Sequence, residues 1–156
     1  MHQNDNLVKI LFRYYSNVFE QETVETMWAE ILDAEKGYYK LDNIPFYGPP
    51  VSSDDIVFAE YDEAEKMLTY RNTVEHSGNS TIQVVLLNKA ENIETIRDIF
   101  KVMGCVSEKV SEGYFAMDIP AKRDYKPIKQ KLAELENDET IGFAEPWLTE
   151  KHRNEQ

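Results

Sequence analysis

The stretch TYRNTVEHSGNST, residues 69–81, separates two halves of the chain that differ in their hydrophobic pattern. Before it, short strand-like runs follow one another at roughly ten-residue spacing, with turn-forming residues between them. After it, strand-like runs alternate with two segments of helical periodicity. The N-terminal and C-terminal halves are therefore predicted to have different folds. Gly78 marks the boundary between them.

The first half is predicted to be a small antiparallel β-barrel or curled sheet. One segment in it is ambiguous, because Val24, Trp28 and Ile31 fit helical spacing whereas Met27, Ala29 and Ile31 alternate. The strand-like neighbours on both sides favour a strand there as well. The predicted strands cover residues 7–15, 24–32, 37–44, 54–61 and 67–74.

The second half is predicted to have the order β-α-β-β-α-β. Asn92 and Asp124 are suited to cap its two helices. The strands are expected at residues 81–87, 105–110, 113–119 and 141–148. This order is typical of a ferredoxin-like unit, in which both helices lie on one face of a four-stranded sheet. The predicted class is α+β, with an acidic β-rich subdomain at 1–78 and a ferredoxin-like subdomain at 79–156 packed as one body.

Charge is distributed unevenly along the chain. The formal net charge is −12, and residues 1–78 hold 15 of the 29 acidic residues but only 6 of the 17 Lys and Arg. A free-standing nucleic-acid binder needs a basic surface, which is missing, so nucleic acid is not expected as a partner. A basic protein partner is compatible with this charge. The alternative is that the acidity only keeps the protein soluble.

No run of residues approaches the roughly 20 apolar residues that a membrane span needs, so no membrane association is expected. The first residues, MHQNDNLVK, lack the basic-then-apolar order of a signal peptide. A single cysteine, Cys105, excludes an internal disulfide. We therefore expect a cytoplasmic protein.

Seven short segments carry a resemblance to a known family. They are WAE (28–30), YYKLDNIPFY (38–47), DIVFAEYD (55–62), LTYRNTVEHSGNST (68–81), IRDIF (96–100), GC (104–105) and YFAMDIP (114–120). Together they resemble the bacterial domain-of-unknown-function family 4265, over almost the whole chain. The resemblance implies a small bacterial protein with no established activity, and it transfers no catalytic residue.

Aromatic and acidic residues on both sides of the Pro/Gly-rich loop at 45–53 are typical of a protein-binding patch. The alternatives are that the aromatic residues, including Tyr39 and Phe46, fill the core and that the acids form a solvated face. The residues predicted to bind a partner are Tyr38, Asp42, Tyr47, Asp54, Asp55, Glu60, Asp62 and Glu63.

The opening stretch itself suggests a second type of site, at the junction of the two halves. His76 has neighbours that could assist proton transfer or hold an anion. The candidate residues are Arg71, Glu75, His76, Ser77 and Asn79. The alternative is a turn between two strands with Gly78 or Asn79 at positive φ, since the stretch lacks the lysine and the following helix of a phosphate loop.

No metal or cofactor is expected. The carboxylates between Asp54 and Glu65 do not match a calcium-loop pattern. His2 and His152 lie near the two ends, where the chain is expected to be loose. Cys105 has no basic residue close before it, so it is expected to be a buried apolar residue rather than a nucleophile.

These observations favour a non-catalytic protein-binding module over an enzyme. Its most concrete form is an immunity or antitoxin-type protein that neutralises a basic bacterial toxin through its acidic surface. The alternative is an enzyme or small-molecule binder built around Arg71 and His76. A third hypothesis is an oligomerising module, and the chain is expected to be a monomer or a weak homodimer.

Overall fold

The computed structural model describes residues 6–16, 20–47 and 49–156. Over this part of the chain it contains nine strands and three helices. Most of the strand pairs are antiparallel, and the strands form two sheets. This confirms the predicted mixed α+β class. The chain divides into two compact units, Met1–Ser77 and Gly78–Gln156, and their packing as one body stays a prediction.

The first unit contains a five-stranded sheet whose strands are paired in sequence order. Leu11 of the first strand also pairs in parallel with Thr69 of the fifth. The ambiguous segment is the second strand, as predicted. The bounds are β1 Leu7–Ser16, β2 Gln21–Asp33, β3 Tyr38–Leu41, β4 Ile56–Asp62 and β5 Met67–Glu75.

Alternate side chains of these strands point into a common core. Met27 and Ala29 of β2 are buried, and so are Val57 and Ala59 of β4. Tyr39 is in the same core, as predicted for it. The residues between them therefore face outward, because successive side chains of a strand point to opposite faces.

The second unit has four strands in the order β7-β8-β6-β9, with both longer helices packed against one core. Asn92 and Asp124 cap those helices as predicted, and each accepts a backbone N–H two residues ahead. The bounds are β6 Ser80–Leu86, α1 Ile93–Val102, β7 Val106–Ser111, β8 Tyr114–Ile119, α2 Tyr125–Asn137, β9 Ile141–Trp147 and α3 Glu150–Arg153.

The short helix α3 was not predicted, and the expectation that the chain is loose around His152 is wrong. His152 is fully buried. A hydrophobicity pattern cannot detect a four-residue helix, because so short a segment spans little more than one turn. His2 lies outside the described residues. Within the described residues, no helix combines the length and apolar character needed to cross a membrane.

Gly37 makes the tight turn between β2 and β3, and a side chain cannot be accommodated there. Its φ is +77°, and a Cβ at this position would lie 2.7 Å from the Ala59 carbonyl oxygen. The amide of Ala59 donates to the carbonyl oxygen of Gly37 at 3.0 Å, which fixes this close approach. The turn therefore sets how β3 lies against β4.

Replacing Gly37 by Ala should lower the free energy of unfolding by at least about 1–2 kcal/mol, the usual cost of a left-handed conformation for an L-residue. The clash with a backbone carbonyl adds to that cost. Gly113→Ala is the matched control, because nothing lies within 4 Å of its added Cβ. Urea unfolding of both variants measures the difference, and equal stabilities would contradict this account of the turn.

Candidate functional site

Outward side chains of β3 and β4 form a continuous surface on the first unit. Tyr38 stands directly opposite Phe58, and Lys40 stands opposite Ile56. Cross-strand neighbours on one face of a sheet contact each other. Tyr38, Ile56 and Phe58 are half-buried. We call this surface the β3–β4 face and define it by Tyr38, Lys40, Ile56, Phe58, Glu60 and Asp62.

One end of the β3–β4 face is acidic and ordered by an arginine. Arg71 of β5 binds Glu60 through Nε at 3.0 Å and Asp62 through Nη2 at 2.9 Å. The hydrogen bond from Arg71 lowers the pKa of Asp62, which therefore stays charged well into acid. Glu63, in the following turn, is exposed. The Arg13–Glu65 ion pair lies beside Asp62 and Arg71, so this end presents four carboxylates and two guanidinium groups.

The opposite end is acidic as well. Glu75 stands across from Ile56 in the β4–β5 register and is exposed. The Asp54 carboxylate is 57% exposed and lies 4.0 Å from the Lys40 amine. An exposed pair at this distance contributes little to stability, so both groups remain available to a partner.

Three of the eight residues predicted to bind a partner, Tyr38, Glu60 and Asp62, belong to the β3–β4 face, and Asp54 and Glu63 lie beside its two ends. Two others lie on the connection between β3 and β4. Asp42 is exposed and its amide donates to the Trp28 carbonyl, and the Tyr47 amide donates to Glu25. The structure thus does not bring Asp42 and Tyr47 onto the face.

The eighth residue, Asp55, was wrongly placed on the surface. Its side chain is fully buried. Its carboxylate accepts hydrogen bonds from the Ser52 amide at 3.0 Å, the Ser52 hydroxyl at 3.1 Å and the Ser77 amide at 2.8 Å. A carboxylate enclosed by donors inside the protein cannot contact a partner. Its role is to hold the loop before β4 against the end of β5.

Asp55 also positions His76. Nδ1 of the imidazole lies 3.2 Å from the second carboxylate oxygen, and the His76 side chain is 43% exposed. This arrangement fixes the ring orientation, as in acid–base sites. The Ser77 hydroxyl donates instead to the Ser53 carbonyl at 2.8 Å. The three side chains therefore do not form a catalytic triad.

The other predicted junction residues lie on β5 or in the second unit. Arg71 lies five residues before it on β5, about 16 Å away along the strand at roughly 3.3 Å per residue. Glu75 ends β5 and faces outward. Asn79 belongs to the second unit, where its side chain accepts the Ala121 amide at 3.0 Å. Gly78 has φ +93°, so the expected turn at positive φ is confirmed.

A second buried carboxylate, Glu25 of β2, was not predicted from the sequence. It accepts the amides of Phe46 at 2.6 Å and Tyr47 at 3.0 Å, and burial raises its pKa against the effect of these donors. Glu25 falls in the same alternation as the core residues Met27 and Ala29. An acidic residue at a position where the alternation of a strand predicts a core side chain is the signal that could have identified Glu25 as buried.

The Cys105 thiol and possible metal ligands are the remaining groups with reactive side chains. Cys105 is buried in the core of the second unit, and burial raises its pKa to about 12, so its thiol stays protonated. Among the described residues, no group of three or more His, Cys, Asp and Glu side chains is arranged to hold a metal ion.

The chain belongs to the family described as Domain of unknown function (DUF4265), whose model matches residues 25–143. The solved structure of a hypothetical protein from Neisseria gonorrhoeae is similar in fold, with a TM-score of 0.79 and 23% sequence identity. The similarity covers 94% of this chain and 98% of that chain. No curated protein matches the sequence significantly.

Replacing Asp55 by Asn should destabilise the protein, because the new amide group would face donors and leave at least one of them unpaired. The expected loss is about 1–3 kcal/mol. Asp54→Asn is the matched control: Asp54 is exposed and has φ +68°, which Asn tolerates. Chemical unfolding at neutral pH compares the two, and a control variant as unstable as Asp55→Asn would overturn the assignment.

Proposed function

We propose that this member of the family is a non-catalytic protein-binding module that docks a basic protein partner on the β3–β4 face. The observation that carries the proposal is the position of the half-buried Tyr38–Phe58 pair between two acidic ends. Aromatic residues surrounded by polar groups dominate the energy of many protein interfaces. A partner with an apolar centre and flanking Lys or Arg fits this surface.

The charges of the face support a basic partner over a neutral one. Asp54, Glu60, Asp62, Glu63 and Glu75 lie on or beside it, whereas Lys40 and Arg71 are its cations. The negative excess would steer a cationic partner toward the face and accelerate association. Since Arg71 holds Glu60 and Asp62 in place, a partner would lose less side-chain entropy in binding them.

The most specific form of this proposal is an immunity or antitoxin-type protein acting in the cytoplasm on a basic bacterial toxin. The net charge of −12 and the acidic face support it. It requires a partner that is itself cationic and that is encoded beside this protein's gene. The broader proposal requires only the basic, partly apolar binding surface.

We infer two finer features of the fold that supply this rigid surface. The Leu11–Thr69 bridge supports a small closed β-barrel in the first unit. In the second unit, the strand order β7-β8-β6-β9 and the two crossover helices support a ferredoxin-like arrangement. A closed barrel has no free edge on β3 or β4, so a partner would contact side chains rather than add a strand.

Reversing the exposed charges at the two ends of the face tests the proposal. The double variant Glu63→Lys/Glu75→Lys should reduce the association rate with the partner on the order of tenfold at low salt. The partner is obtained by capture on the tagged wild-type protein from a bacterial lysate and is identified by mass spectrometry. Binding kinetics at low and high salt then measure the loss, which should shrink as salt screens the charges.

Glu91→Lys/Glu136→Lys provides the matched control. Both residues are exposed acids of the second unit, so the net charge changes equally while the face is intact. The control should retain more than half of the wild-type association rate. Equal losses in the two double variants, or a captured partner that is acidic, would contradict docking on the β3–β4 face.

A second function is favoured by one observation, the Asp55–His76 pair. A buried carboxylate that orients a half-exposed imidazole can support general-base catalysis on a small substrate. The site consists of Asp55, His76 and the adjacent Ser77 amide, without Arg71 or Asn79. It differs from the binding proposal because it requires turnover.

His76→Asn should therefore abolish any esterase activity toward p-nitrophenyl acetate, because the general base is lost. Circular dichroism would verify that the variant keeps the fold, as expected for a half-exposed side chain. The rate of p-nitrophenol release is compared between the wild-type protein, this variant and buffer. Wild-type hydrolysis no faster than that of His76→Asn would eliminate this second candidate.

A further inference from the structure

His152 of α3 is a fully buried histidine with hydrogen bonds to two other segments of the second unit. Its Nδ1 lies 2.6 Å from the Ser80 hydroxyl at the start of β6. Its Nε2 lies 3.2 Å from the Arg123 carbonyl, just before α2. One imidazole thus connects α3 to two elements distant in sequence.

The hydrogen-bond partners identify the form of the ring. A carbonyl oxygen only accepts, so Nε2 must carry a proton and donate it to Arg123. In the neutral ring, Nδ1 then accepts the Ser80 hydroxyl proton. The Ser80 oxygen in turn accepts the Thr149 amide at 3.0 Å, which fixes the residue before α3. The neutral imidazole thus has a partner for each ring nitrogen, and the Ser80 hydroxyl gives its proton to Nδ1 at 2.6 Å rather than to the more distant Thr149 hydroxyl oxygen at 3.4 Å.

Charged groups surround the same junction. The Lys151 amine donates to the Arg123 carbonyl at 2.9 Å and lies 2.8 Å from the Glu155 carboxylate. Glu155 also accepts the Tyr125 amide, the first N–H of α2, at 3.0 Å. The Tyr125 ring lies 5.9 Å from the imidazole, and the Arg123 side chain points to Gly104. The attachment of residues 149–156 therefore centres on His152.

We propose that His152 is the trigger of a pH-operated latch: its neutral ring holds α3 against β6 and the loop before α2, and its protonation releases α3. A charged imidazole at this position would be enclosed by protein beside the Lys151 ammonium, and the Glu155 carboxylate and the Arg123 and Pro120 carbonyls would compensate it only in part. Release exposes the ring to water and removes Glu155 from the N-terminus of α2. The apolar core of the second unit is built from the sheet, α1 and α2, and α3 meets it only where the His152 ring lies against Tyr125.

The direction of the pH dependence follows from the geometry. Burial lowers the pKa of His152, and the charge of Lys151 lowers it further. The docked state therefore binds fewer protons than the released state, so docking is strongest above the ordinary pKa of about 6.5 and weakens as pH falls below it. Between the pKa of the docked state and that of the released state, each unit by which the pH falls increases the released-to-docked ratio about tenfold.

Nuclear magnetic resonance of the full chain between about pH 8 and pH 5 tests the latch, since histidines titrate in this range. The ring signals of His152 should titrate together with the backbone amide signals of residues 150–155. The chemical shifts of those amides should move to values typical of a disordered chain. Amides of β8 should not change. Titration of the His152 ring while the α3 amides keep their docked positions would overturn the proposal.

Two variants make the experiment specific. His152→Asn cannot become charged, so its α3 should show no transition over this pH range. His76→Asn removes a histidine from the first unit and should keep the wild-type transition. If α3 of His152→Asn is already undocked at neutral pH, the wild-type protein alone provides the test. The proposal then requires that the His152 ring signals and the α3 amide signals titrate together. Loss of the transition in His76→Asn would contradict the assignment to His152.

Discussion

The buried carboxylate of Asp55 is the interaction on which the arrangement of the first unit depends. The connection between β3 and β4 is long, and its last residues must return to the sheet next to the start of β4. Asp55 holds them by accepting hydrogen bonds from Ser52 and Ser77 and by contacting His76. A second carboxylate, Glu25, holds the middle of the same connection through two amides. Because β4 is fixed in this way, Tyr38 and Phe58 meet on the outer surface.

Local patterns in the sequence were sufficient for the class of the fold and for its elements other than α3. The strand-like neighbours of residues 24–32 favoured a strand for that ambiguous segment, and its residues Met27 and Ala29 do enter the core on alternate positions. Asn92 and Asp124 begin helices as expected, since a cap depends only on a side chain and an amide two residues ahead. Such features are set within a few residues of each other. They therefore remain visible in the sequence without any knowledge of tertiary contacts.

The errors have a common physical origin in contacts between distant residues. Asp55 follows an exposed aspartate in an acidic stretch, and nothing local distinguishes it from Asp54. Its burial depends on Ser77, 22 positions away in the chain. His152 is buried through Ser80, which is 72 positions away. The charge of a patch is equally non-local, because Arg71 offsets the negative charge of Glu60 and Asp62 only once the β4–β5 hairpin has formed.

The distribution of polar groups between the core and the surface separates structural roles from binding roles in this protein. Asp55 and Glu25 are enclosed and accept several donors each, so their charge is compensated within the fold and exerts little field outside it. The carboxylates at the ends of the β3–β4 face are exposed except for the half-buried Asp62, and only some of them are paired with cations. An acidic residue can attract a partner only if its charge reaches the solvent. The acidity that matters for recognition is therefore that of the few exposed carboxylates beside Tyr38 and Phe58, rather than the excess of acidic residues in the whole chain.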